Sequence, residues 1–117
     1  MIPSDNPVPE LETLKAERKF DAWEFYPGAP DEAVRARCEA RVNELLDALI
    51  RGWPQQTTTD LVLSKFREYL PNFDHEDTEE RERACGYCEK IMAILGIESS
   101  QGVLNNWLYG FDPNELP

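Results

Sequence analysis

The chain has 117 residues, 41% of them hydrophobic, which is the common size of one domain with a single core and too little for two. Against 12 lysines and arginines stand 23 aspartates and glutamates, a net charge of −11 at neutral pH, and a field of that sign repels nucleic-acid phosphate and anionic membrane surfaces. No run approaches the roughly 18 apolar residues of a membrane span, and the start MIPSDNPVPELE has neither the basic segment nor the apolar core of an export signal.

Three cysteines, an odd number in a chain able to build its own core, point to reduced thiols in a cytoplasm rather than a disulfide framework. Residues 1–9 carry Pro3, Pro7 and Pro9 among small polar residues and predict an unanchored, flexible proline-rich arm ahead of one helical domain over 10–117. Pro9 suits the first position of a short helix that reaches about Lys19, with Leu11, Leu14 and Arg18 on one side. Phe20, Trp23, Phe25 and Tyr26 then crowd into seven positions before the turn cluster Pro27-Gly28-Ala29-Pro30. Ring burial favours a lid across the core over a groove for a partner.

Pro30, Asp31 and Glu32 open a helix that runs to about Arg51, with Gly52 as its stop. Val34, Cys38, Val42, Leu45, Leu46 and Leu49 step by three and four along it, while Arg35, Arg37, Glu39, Arg41 and Glu44 fall on or beside the wet face. Thr57 and Asp60 have the spacing of a capping box for a third helix with Leu63, Phe66 and Leu70 inward, and Pro71 should push Leu70 out of helical geometry, with Phe73 folding back on the core. Asp74-His75-Glu76-Asp77-Thr78-Glu79-Glu80 leads into a long helix starting at Asp77 or Thr78, whose stripe is Ala84, Cys85, Cys88, Ile91, Met92 and Leu95. Gly96 followed by Ile97 has the form of a glycine C-cap with its hydrophobic contact. Ser99 or Ser100 then caps a last helix with Val103, Leu104, Trp107 and Leu108 inward and Gly110 at its end. The sum is an all-α fold, a single compact irregular bundle of about five helices, with residues 22–26 the one candidate for a short strand.

Chemistry is sparse. Cys85-Gly86-Tyr87-Cys88 spells C-x-x-C, but zinc needs four ligands and only Cys38 and the lone His75 have matching softness. A redox pair needs a thiolate at a helix N-terminus, and these cysteines lie well inside the helix on its apolar side, so they read as inert core thiols. The run from Asp74 has the composition of a calcium loop without its spacing, since Glu79 stands where a glycine is required and Cys85 where a glutamate is. With one histidine and no glycine-rich phosphate loop, an enzyme is the least supported class, and no catalytic residue, metal or cofactor is expected.

The run R-E-R-x-C-x-Y-x-E-K-I-M from Arg81 to Met92, followed by G-I-E-S-S-x-G-x-L-N-x-W-x-Y-G-F-D from Gly96 to Asp112, resembles a small bacterial family known as a domain of unknown function. The Tyr26-Pro27-Gly28 turn is similar too. The resemblance is firm over the C-terminal third; it implies a compact helical domain of bacterial cytoplasm and transfers no catalytic residue. Glu98 is placed to brace the turn between the last two helices.

Charge and the absence of chemistry together predict a non-enzymatic cytoplasmic module for a basic protein partner, in the manner of an immunity protein, antitoxin or inhibitor, with no nucleic acid or membrane involved and an oligomeric state the residues do not encode. The candidate contact residues are Asp74, Glu76, Asp77, Glu79 and Glu80 of the acidic run, or Asn105, Asn106 and Tyr109 on the less apolar side of the last helix. The alternative is a small-molecule or cation-binding domain whose pocket, lined by Trp23, Tyr26 and Trp107, lies between the aromatic segment and the last two helices.

Overall fold

A computed structural model describes residues 6–22, 26–53 and 58–109. Within them the chain forms α1 (Val8–Ala16), α2 (Glu32–Gly52), α3 (Thr59–Tyr69), a 3-10 turn (Leu70–Phe73), α4 (Thr78–Leu95) and α5 (Val103–Tyr109). Packing partners run α1 to α2 to α3 to α5 to α4 and back to α1, with α2 also touching α4 across the middle. The fold is an all-α bundle, and the described residues hold no strand beyond an isolated β-bridge at Tyr26. None of the described helices is long and apolar enough to cross a membrane.

The expected stripe of α2 is buried from Cys38 and Val42 to Leu45, Leu46 and Leu49, with Val34 at its head half-buried, and it meets Leu63 and Phe66 of α3 and Cys88 and Ile91 of α4 in one cluster. Each fully buried large side chain contributes about 1.5–3 kcal/mol relative to exposure. Asp31 starts α2 by accepting the Val34 N–H at 2.8 Å. Thr58 starts α3 by accepting the Leu61 N–H at 3.3 Å, so the cap is Thr58; Thr57 and its expected role lie outside the described residues. At the far end of α4, Gly96 takes φ 73°, its N–H reaches Ala93 O at 3.3 Å, and Ile97 N–H reaches Met92 O at 2.8 Å. That is the Schellman arrangement, which only a residue tolerant of left-handed backbone closes without strain.

Four local expectations give way to the structure. First, α1 begins at Val8, so residues 8 and 9 of the expected arm are helical. Asn6 accepts the Val8 N–H at 3.1 Å and Pro7 O accepts from Leu11, which gives the helix a start earlier than Pro9. Residues 1–5 of that arm lie outside the described residues. Second, α1 stops at Ala16 rather than near Lys19, because the buried Lys19 folds back and its Nζ donates to Lys15 O at 2.9 Å and Glu17 O at 2.8 Å. A lysine thus satisfies carbonyls at the negative end of its own helix, and its burial lowers the ammonium's pKa.

Third, Leu70 keeps helical backbone (φ −59°, ψ −36°) despite the following proline. The 3-10 turn places Pro71 where no donor is needed and buries both Leu70 and Phe73, which outweighs the pre-proline restriction. Fourth, α5 begins at Val103, later than a cap at Ser99 or Ser100 requires. Ser99 Oγ accepts from Gln101 N–H at 3.0 Å within a turn whose Gln101 and Gly102 are both left-handed. Glu98, expected to brace that turn, is exposed and has no partner among the described residues.

Residues 17–22 and 26–29 form a strap over the N-terminal halves of α2 and α4. Its pivot is Phe20, whose backbone is left-handed (φ 64°), a state that costs a non-glycine residue about 1–2 kcal/mol. What holds it there is visible. Phe20 N–H donates to Tyr87 Oη at 3.0 Å, Phe20 O accepts from Ala29, and the buried ring lies 5.2 Å from Tyr87 and 6.1 Å from Phe73 between centroids. The reversal also needs Gly28, at φ 90°, where a Cβ would come to 3.0 Å from Ala22 N.

Candidate functional site

The acidic run is largely engaged inside the molecule. Asp74 accepts from Trp107 Nε1 at 2.8 Å, which ties α5 to the 3-10 turn. Glu76 is gripped by Arg37 through both carboxylate oxygens, at 2.7 and 2.8 Å, and by Arg41 Nη1 at 2.7 Å. Those guanidinium groups hold its carboxyl below the usual range. Glu80 is 2% exposed and accepts from Tyr26 Oη at 2.9 Å. Burial raises both of these groups above their ordinary values, the Tyr26 phenol strongly and the Glu80 carboxyl, while the hydrogen bond between them pulls the carboxyl back in part. Asp77 caps α4 without a side-chain bond to the helix, and Glu79 is exposed on its first turn.

Arg35, expected on or beside the wet face, is buried. The strap covers it, and its Nη1 donates to Lys19 O at 3.1 Å and to Glu39 at 2.9 Å while its Nε donates to Glu32 at 2.8 Å. Arg35, with Arg18 behind it, holds Glu32 down to about 2, and Glu39 also accepts the Lys19 N–H at 2.8 Å.

The thiols of Cys38, Cys85 and Cys88 are free and buried. Burial pushes Cys38 and Cys85 up to about 12 and Cys88 well above its ordinary value, so none is a thiolate at neutral pH. Among the described residues no group of three or more ligating side chains gathers where a metal ion could sit.

Tyr26 and Trp107 are in different places. Tyr26 and Pro27 line a shallow groove of about 380 Å³ with Glu79, Glu82 and Arg83, whereas Trp107 stands edge-on to Phe73, 6.4 Å between centroids. None of the described grooves is lined by both rings, and Trp23 lies outside the described residues. On α5, Tyr109 and Asn106 are exposed, while Asn105 is half-buried at the edge of another hollow.

That hollow is one of two that Ala93 borders. A groove of about 410 Å³ between α1 and α4 is lined by Leu14, Ala93 and Ile94, with Glu10, Glu17 and Lys90 at its edge. The second, of about 380 Å³ between α4 and α5, is floored by Met92, Ile97 and Leu104 with Glu89 and Glu98 beside them. Ala93 belongs to both. The available signal was stripe width: Ala93 and Ile94 extend the apolar side of α4 beyond the roughly 100° that one core face covers.

A family model described as a domain of unknown function (DUF4844) matches residues 2–112. A solved structure, described as a crystal structure of a DUF3571 family protein (ABAYE3784) from Acinetobacter baumannii AYE, is similar at 29% identity with a TM-score of 0.80, covering 89% of each chain. The search of curated proteins found no match.

Proposed function

The chain belongs to the DUF4844 family, a domain of unknown function, and from its geometry we propose that it is a non-enzymatic cytoplasmic binding module for a basic protein, working as an immunity protein, antitoxin or inhibitor does. The observation that carries this reading is where the charge remains once internal pairs are made. Arg18, Arg35, Arg37 and Arg41 are engaged with Asp21, Glu32, Glu39 and Glu76. Glu10, Glu12 and Glu17 of the α1 region and Glu79, Glu82 and Glu89 of α4 are exposed and form no ion pair among the described residues. On α4 Arg81, Arg83 and Lys90 stand beside the glutamates, whereas Lys15 and Arg18 of the α1 region are already paired with Asp47, Asp21 and Glu32, so the uncompensated acid is densest on the outer surface of α1, where it steers cationic partners and repels anionic ones. Free, buried, protonated thiols suit a reducing compartment.

The test is retention of host proteins on the immobilised chain at low and raised ionic strength. Basic proteins are held at low salt and released as the Debye length shrinks. Retention of acidic proteins alone, or of nothing at low salt, overturns the reading.

A further inference from the structure

Resting on that reading, we infer that the paired hollows beside α4 are the seat of the partner, and that the occupant is a basic amphipathic helix. The hollow between α1 and α4 is mainly apolar, with Leu14 and Ile94 in it and glutamates at its edge, while the one between α4 and α5 sets Ile97 and Leu104 among the polar Glu89, Glu98, Ser100 and Asn105. Exposed Ala93 is the low wall between them, small enough for a foreign backbone to pass over. The hollows flank α4 on its α1 and α5 sides and share Ala93, so an amphipathic helix laid across Ala93 can present an apolar side chain to each.

Charge selects the flanks of that helix. Glu10 on the first turn of α1 and Glu17 at its C-cap stand roughly 10 Å apart, the rise of the helix between them. Lysines or arginines seven positions apart on the ligand meet both. Glu89 and Glu98 border the opposite side. The one cation among the lining residues, Lys90, stands 5.2 Å from the Tyr87 ring centroid, and with Glu10, Glu17, Glu89 and Glu98 around the hollows the border keeps a net negative charge. An acidic helix would meet four glutamates, and an uncharged one would leave them uncompensated.

The probe is an acetylated, amidated peptide of about 16 residues with leucines at i, i+3, i+4 and i+7 and lysines over the rest. Two companions complete the set: the same composition with its leucines dispersed, and the same leucine face with glutamates in place of lysines. The amphipathic basic peptide is expected to bind, to shift the amide signals of Leu14, Ala93 and Ile97, and to weaken steeply with salt. Ala93→Trp, which fills both hollows from an exposed position, lowers affinity about tenfold, and Glu10→Lys with Glu17→Lys does the same. Glu12→Lys and Glu44→Lys, exposed but outside both hollows, leave it nearly unchanged; circular dichroism verifies that each variant is folded. If the dispersed peptide binds equally and all charge reversals act alike, a general attraction for basic partners stands and this seat falls. If Ala93→Trp has no effect, or the glutamate peptide binds equally, the seat also falls. If no basic peptide binds at low salt, this inference and the proposed function fall together.

Discussion

Replacing Glu76 with glutamine separates a clamped carboxylate from a solvated one. The side chain is 7% exposed and accepts three charge-assisted bonds, two from Arg37 and one from Arg41. Bonds to charged groups contribute about 1.5–3 kcal/mol when shielded. Arg37 is 47% exposed and returns to water when released, so its share drops to that of a surface pair, below about 1 kcal/mol. Arg41, 26% exposed, faces an amide that still accepts one bond. The expected loss for Glu76→Gln is about 2 kcal/mol at neutral pH, or roughly 8 °C in Tm for a chain of this size. The pH dependence has a definite sign. Arginine contacts place the folded pKa below the ordinary 4.5, so the contribution is complete above that value and disappears as pH falls through the folded pKa. Urea unfolding followed by circular dichroism over a pH series measures both parts. A gap between the two proteins below about 0.5 kcal/mol at neutral pH, or one that persists undiminished in acid, refutes the clamp.

Glu80→Gln, four residues on, should do the reverse. Burial raises its folded pKa, so the native chain gains stability from this site as pH falls through that pKa and loses it as pH rises. The glutamine variant is therefore as stable as the native chain or more so at neutral pH, and it lacks the gain on acidification; a loss above about 1 kcal/mol at neutral pH would count against a buried, reluctant carboxylate. At Phe20, glycine should be better tolerated than alanine by about 1 kcal/mol in chemical denaturation, although both lose the ring, because the left-handed backbone penalises a Cβ. Equal stabilities would mean the strap relaxes. Thiol titration with an aromatic disulfide reagent should find three slow cysteines in the folded chain, still slow in mild alkali, and all three fast in denaturant; one rapidly reacting native thiol would contradict the burial of Cys38, Cys85 and Cys88.

Helix existence was legible where local chemistry and periodicity coincide. The α2 stripe with Asp31 at its head, and Gly96-Ile97 at the tail of α4, are determined within a few residues of themselves, and the structure follows them. What escaped was decided at long range. The composition of Asp74 to Glu80 is the same whether the run is solvated or clamped, and the clamping arginines lie 35 and 39 positions upstream on a face whose period reads as wet. Arg35 misleads for the same reason, since only the strap above it makes its surroundings dry. Phe20 has no local signal for a left-handed backbone; its conformation is imposed by Tyr87, 67 positions away. The outer hollows escaped because a stripe slightly too wide for its core looks, in one dimension, like a generous core.

The strap's bonds also order events during synthesis. Phe20 waits for Tyr87 and Tyr26 waits for Glu80, so at about 5–20 residues per second the segment 17–29 emerges several seconds before its partners exist. In the nascent chain the aromatic side chains of Phe20 and Tyr26 are exposed, and the first third of the polypeptide is completed by the last. Chaperone engagement and proteolytic nicking during translation should accordingly concentrate on 17–29, and a ribosome stalled before Glu80 holds a chain whose strap has nothing to close against.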